Sequence, residues 1–149
     1  MTYILDTNIL LHTVRNTSLF QYLDRKYDPY SSQHEAIISA VSVGEIYSLA
    51  KRNRWGATKM LIVQAIIRKC SIKPVEGEPL MELYADIDAF SQRNHPTMTI
   101  TGSARKMGKN DLWIASTAAF FNGTILTTDG DFSHLHNVFL KVVDRKSVV

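Results

Sequence analysis

Apolar positions along this chain alternate between two spacings. Short unbroken runs rich in β-branched residues, at 3–5, 36–41, 124–128 and 139–143, predict buried strands. Between them apolar residues recur three and four positions apart, the spacing of a helix face. Leu19, Tyr22 and Leu23 mark a helix over 18–27, broken by Asp28-Pro29. Ser42 with Glu45 three residues on has the form of a capping box, opening a helix that runs through Ala50 into Lys51-Arg52-Asn53-Arg54. Met60, Leu61, Val63, Ile66 and Ile67 stripe a helix over 57–69, and 78–93 forms a longer one with Pro79 in its first turn. Residues 71–75 predict a short strand near a sheet edge, because Pro74 cannot donate to a ladder. Asn110-Asp111 is placed to cap a helix over 112–121 that is apolar almost all round and belongs deep in the core. Asn122-Gly123 terminates it. Residues 97–109 form a polar, glycine-bearing loop. Strands alternating with helices predict an α/β fold with a mostly parallel sheet flanked by helices. No repeat, linker or low-complexity segment interrupts the pattern, so residues 1–149 are expected to form a single domain.

Composition narrows the class without changing this picture. The chain has 149 residues, 45% apolar and 21% charged, a globular balance with enough length to bury a real core. No apolar run approaches the roughly 20 residues of a membrane span. The N-terminus meets Asp6 without a basic region before it, so no signal peptide is expected. Cys70 is the only cysteine, which excludes an internal disulfide and is compatible with a reducing, cytoplasmic setting. The five histidines have no metal-finger spacing, and His134-Leu135-His136 reads as a surface pair. A net charge of +3 permits a polyanionic partner without requiring one, so the distribution of charge matters more than its total.

The chemistry lies in four acids. Asp6, Glu45, Asp111 and Asp129 each fall just after a predicted strand or in the first turn of a helix. In a parallel sheet such positions gather at the carboxyl edge, where ligands collect. Each has an ordinary structural explanation taken alone. Asp6 or Asn8 caps a helix, Glu45 completes a capping box, and Asp129-Gly130-Asp131 makes a turn. Caps, however, need not meet, whereas clustered carboxylates repel one another unless a cation or proton intervenes. An all-oxygen set of this kind suits a hard divalent ion such as Mg²⁺ or Mn²⁺.

Four segments carry a family resemblance: Tyr3-Ile4-Leu5-Asp6-Thr7-Asn8, Ser42-Val43-Gly44-Glu45-Ile46, Lys109-Asn110-Asp111-Leu112-Trp113-Ile114-Ala115 and Leu126-Thr127-Thr128-Asp129-Gly130-Asp131-Phe132. In order and spacing they resemble the PIN-domain ribonucleases, and within them the VapC-like toxins of prokaryotic toxin–antitoxin pairs. The resemblance spans essentially the whole chain. It implies a PIN-like three-layer α/β/α fold and a divalent-metal-dependent endoribonuclease that leaves a 5′-phosphate and a 3′-hydroxyl. It assigns metal to Asp6, Asp111 and Asp129. Glu45 is assigned to water-mediated metal binding or to orienting the attacking water. Asn8, Thr127, Thr128 and Asp131 are expected around these acids, with Asp131 serving equally as a turn residue. Arg105, Lys106 and Lys109, just upstream of Asp111, are candidates to contact RNA phosphates, which position the substrate without specifying its sequence. Arg52 and Arg54 form a second candidate patch that could touch RNA, although this helical region resembles the surface an antitoxin covers. The partners implied are an RNA substrate, a cognate antitoxin and, because closed two-fold pairs are commonest, a second copy of the chain. Two other readings use some of the same residues. A haloacid-dehalogenase-like phosphatase also begins with a strand and an aspartate but wants a second aspartate where Asn8 stands. A non-catalytic RNA- or metal-binding module would keep the fold without needing the intact acidic set.

Overall fold

The strands pair side by side in the order β3-β2-β1-β4-β5, and every neighbouring pair is parallel. They span Thr2–Leu5 (β1), Glu35–Ser39 (β2), Ser71–Lys73 (β3), Thr124–Leu126 (β4) and Lys141–Val143 (β5) in a computed structural model that describes residues 1–144. Six helices connect them: Thr7–Arg15 (α1), Ser18–Tyr27 (α2), Ala40–Arg52 (α3), Ala57–Arg68 (α4), Glu78–Ser91 (α5) and Lys109–Phe120 (α6). Successive strand residues point to opposite faces, and both faces are covered, which is why the strands read as unbroken apolar runs. On one face Ile4, Ile37 and Ile125 pack with Ile87 and Phe90 of α5 and Leu112, Ala115 and Ala118 of α6. On the other, Tyr3, Leu5, Ile38 and Leu126 pack with Ile9, Leu10, Ile46, Val63 and Ile67 from α1, α3 and α4. The result is the three-layer α/β/α arrangement. No helix among the described residues is long and apolar enough to cross a membrane.

Strand order fixes where a site can form. From β1 the chain moves outward through β2 to the edge strand β3; the later strands are laid on the other side of β1. The reversal opens a crevice between the carboxyl ends of β1 and β4, the place where open parallel sheets bind ligands. The close β1–β4 approach also explains Gly123. A Cβ there would sit 2.1 Å from Ile4 Cδ1 and 3.2 Å from the Thr2 carbonyl oxygen.

Several sequence expectations change in detail. Strand β2 ends at Ser39, where pairing to Lys73 of β3 stops, and Ser39 Oγ accepts from Val41 N at 3.1 Å as the cap of α3. There is accordingly no Ser42–Glu45 capping box, and both residues lie inside the helix. Helix α6 begins at Lys109 behind Gly108, so Asn110 and Asp111 sit in its first turn rather than capping it. A carboxylate there is favoured by the helix dipole. Strands β4 and β5 are shorter than the apolar runs that encode them. The loop over 97–108 is polar in composition, yet Ile100 and Met107 are buried and anchor it in the core. Of the expected surface pair only His136 is exposed; His134 is half-buried. His134 Nε2 lies 2.7 Å from Ser91 Oγ and its imidazole is pushed down to about 4 by burial and by Arg105, while His136 Nδ1 accepts from Val142 N at 2.9 Å.

Candidate active site

Asp6 is the residue about which the site is built. It follows β1 directly and is only 4% exposed, a costly place for a carboxylate. Its oxygens are both engaged. Thr7 N donates to Oδ1 at 2.8 Å, making Asp6 the N-cap of α1, and Thr127 Oγ1 donates to Oδ2 at 2.8 Å from the end of β4. The cap expectation for Asp6 is therefore correct as far as it goes, but a cap requires neither deep burial nor a second donor across the sheet. Burial pushes the Asp6 carboxyl up to about 7. The nearby Asp129 and Asp111 charges add to that rise, and the Thr127 and Thr7 hydrogen bonds oppose it.

The other three acids reach the same cleft from different elements. Asp129 follows β4; its backbone N–H donates to Thr127 Oγ1 at 3.3 Å, and its Oδ1 accepts from Asp131 N at 3.0 Å, an Asx turn. Asn8 Nδ2 donates to Asp129 Oδ2 at 3.4 Å. Thr127 thus links two acids, donating to one and accepting from the backbone of the next. Thr128 is half-buried, makes no such link among the described residues, and is not among those lining the cleft. Glu45, in the second turn of α3, has its Oε1 held by Thr7 Oγ1 at 2.9 Å, and the same Thr7 hydroxyl lies 3.0 Å from Ser42 Oγ. Asp111, in the first turn of α6, is half-buried, and its carboxyl has no hydrogen-bond partner among the described residues. Its carboxyl is raised to about 6 by burial first, then by Asp129, Asp131 and Glu45.

Together they line a cleft of about 810 Å³, with Asp6, Glu45, Asp111, Asp129 and Asp131 on its acidic side. Leu11, Val41 and Leu49 contribute an apolar wall, and Arg52 is the one cation among the described residues that line the cleft. None of the acids is in a salt bridge among the described residues. Nor do any three His, Cys, Asp or Glu side chains there stand close enough to clasp one ion. The chemistry of the set nonetheless fits a hard divalent cation: all its donors are carboxylate oxygens, and they raise one another's proton affinity for want of positive charge.

The basic residues separate. Arg105 Nη1 donates to Gly130 O at 3.0 Å, while its backbone N–H donates to Ser91 O at 2.7 Å. It thereby fastens the turn between Asp129 and Asp131 to the end of α5. Lys106 and Lys109 are exposed and do not line the cleft. Sequence reasoning missed Thr7 and Ser42 as the support of Glu45, and it grouped Arg52 with Arg54 in one patch, whereas Arg52 lines the cleft and Arg54 borders a different depression. The spacing Glu45, Ser48, Leu49, Arg52 is one helix face, a signal that would have put Arg52 in the cleft.

The family model described as PIN domain matches residues 3–138. Solved structures are similar over nearly the whole chain at low identity. VapBC2 from Rickettsia felis, bound to a DNA fragment from its promoter, superimposes with a TM-score of 0.76 at 16% identity, covering 97% of this chain and 98% of that one. VapBC-1 from nontypeable Haemophilus influenzae gives 0.72 at 18% identity, covering 98% and 99%. VapBC-5 from Mycobacterium tuberculosis, a member of the VapBC family of toxin–antitoxin systems, gives 0.61 at 17% identity, covering 96% of each. No curated protein sequence matches the chain.

Proposed function

Because the chain belongs to the PIN domain family, we propose that it is a divalent-metal-dependent endoribonuclease and the toxin of a cytoplasmic toxin–antitoxin pair. The observation that carries the catalytic half is the meeting of Asp6, Glu45, Asp111 and Asp129 in one cleft at the strand-order reversal. The toxin half is supported by the similarity to chains of VapBC complexes.

Asp6, Asp111 and Asp129 would hold Mg²⁺ or Mn²⁺, with Glu45 acting directly or through water. When bound, the ion supplies Lewis-acid polarisation of the phosphoryl oxygen and a lowered pKa for water. The protein's own groups do the rest. Thr127 fixes the Asp6 carboxylate from the adjacent strand, and Asn8 steadies Asp129. Thr7 occupies Glu45 Oε1, leaving Oε2 to accept a proton from the attacking water. In-line attack then breaks the bond to the 3′-oxygen and leaves a 5′-phosphate. Arg105 acts at one remove, by holding the Gly130 carbonyl. Arg105→Ala is expected to lower turnover roughly tenfold, the worth of one charge-assisted hydrogen bond. Its thermal melt should be nearly unchanged, and equal turnover in single-turnover assays would remove Arg105 from the site.

Growth tests the toxin assignment. Induced wild-type protein is expected to arrest a bacterial host, Asp111→Asn protein to leave it growing, and a co-expressed cognate antitoxin to restore growth. Continued growth while folded wild-type protein accumulates would overturn the toxin reading.

A further inference from the structure

We infer that Arg52 is a substrate-positioning residue: its guanidinium binds an RNA phosphate flanking the scissile one, along a lane formed by the α1–α3 wall of the cleft. This rests on the ribonuclease reading above and specifies how the substrate lies. Glu45, Ser48, Leu49 and Arg52 share one face of α3, and all four line the cleft that contains Asp6, Asp111 and Asp129. Seven residues of helix separate Glu45 from Arg52, a rise of about 10 Å. That distance sets Arg52 beyond the acids rather than among them. Consistent with this, the Arg52 side chain makes no ion pair or hydrogen bond among the described residues, although it borders a cleft rich in carboxylates. A cation left unneutralised at the end of an acidic cleft is suited to a polyanion that enters the cleft and must extend past the acids.

The wall between them matches the rest of a nucleotide. Leu11, Val41 and Leu49 are half-buried and apolar, and no aromatic side chain among the described residues lines the cleft. A ribose or base edge can lie against such a wall, but there is no platform for base stacking. The site therefore grips the backbone through charge, and Arg52 sets the register of the strand without reading its sequence. A basic residue in the last turn of a helix also meets the negative end of the helix dipole, a structural role that predicts a change in stability only. Arg54, two residues on, is an internal control. It carries the same charge but borders a different depression with Tyr47, Trp55 and Met60.

Two readouts test the assignment. In steady-state cleavage of a single-stranded RNA, Arg52→Gln is expected to raise KM about tenfold with kcat within roughly twofold, the signature of a lost charge-assisted contact made equally in ground and transition states. Arg52→Lys should recover part of the loss, and Arg54→Gln should behave as wild type. In the Asp111→Asn background, binding of the same RNA by fluorescence anisotropy should lose about 0.7 from its log–log salt slope on Arg52→Gln and nothing on Arg54→Gln. Equal effects of the two substitutions, or an unchanged slope for both, would overturn the inference. The altered slope in a protein that cleaves no RNA would uphold the Arg52 contact and sink the nuclease reading. Failure to bind RNA at all would sink both.

Discussion

Replacing Asp6 or Asp111 by asparagine is expected to reduce metal-dependent RNA cleavage by about 10³-fold or more while leaving the fold intact, since the ion's share of transition-state stabilisation is several kcal/mol. The two substitutions test different things. Asn at position 6 keeps a side-chain oxygen able to cap α1 and a polar group opposite Thr127, so the β1–β4 junction survives. At position 111 the carboxyl has no hydrogen-bond partner to lose among the described residues, so the charge alone is removed. Both side chains are held above the usual carboxylate range by burial and by their neighbours, and neither has a salt bridge among the described residues to justify the cost. Acids that were only caps would give variants with unchanged cleavage. Kinetics beside circular dichroism and thermal melts distinguish the outcomes.

The second large effect is on stability, and its sign follows from the same cluster. Asp6 is raised from 3.8 to about 7 and Asp111 from 3.8 to about 6, so the folded protein binds these protons more tightly than the unfolded chain. The stability they contribute is complete below about pH 4 and is lost as pH rises through about 6 and 7. For buried Asp6 this amounts to about 2–4 kcal/mol. His134 runs the other way: lowered from 6.5 to about 4, it contributes stability above 6.5 that is lost as pH falls toward 4. The two trends oppose each other below pH 6.5, and the carboxyl trend stands alone above it. Most of the loss falls between pH 4 and 6.5; in chelator, the wild-type melting temperature is expected to drop by about a further 2–4 °C between pH 6.5 and 8. Asp6→Asn should flatten most of that decline. Saturating Mg²⁺ or Mn²⁺ should raise the melting temperature more at pH 8 than at pH 5.5, because the ligands must be deprotonated to bind. A metal-induced rise independent of pH, and unaffected by Asp6→Asn, would place metal binding elsewhere.

Much of this arrangement was legible in the chain because its signals are local. Unbroken β-branched runs gave the strands, and helical spacing gave the helices between them. The four acids were visible because each follows a strand end or sits near a helix start, positions that a parallel sheet brings together. What the sequence hid depends on contacts distant in sequence. Ser39 and Ser42 both follow an apolar run; pairing of Ser39 with Lys73 decides that the strand stops and the helix begins there. Thr127 and Thr128 are equivalent as neighbours in sequence, yet only the hydroxyl of Thr127 faces Asp6 across the sheet. Arg105 looked like any cation in a polar loop until Gly130 and Ser91 were brought to it by the packing of 97–108. Arg52 is the exception, since its seven-residue spacing from Glu45 was available in the sequence.

The measurement bearing most directly on the central claim is digestion of a mixed cellular RNA pool by the purified protein, with Mg²⁺ or Mn²⁺, with chelator, and with Asp6→Asn and Asp111→Asn run in parallel. Discrete cuts carrying 5′-phosphates are expected with the metal alone, abolished by chelator and absent from both variants. Cleavage that persists in chelator, or that both variants match, would contradict a carboxylate-held metal centre as the source of activity.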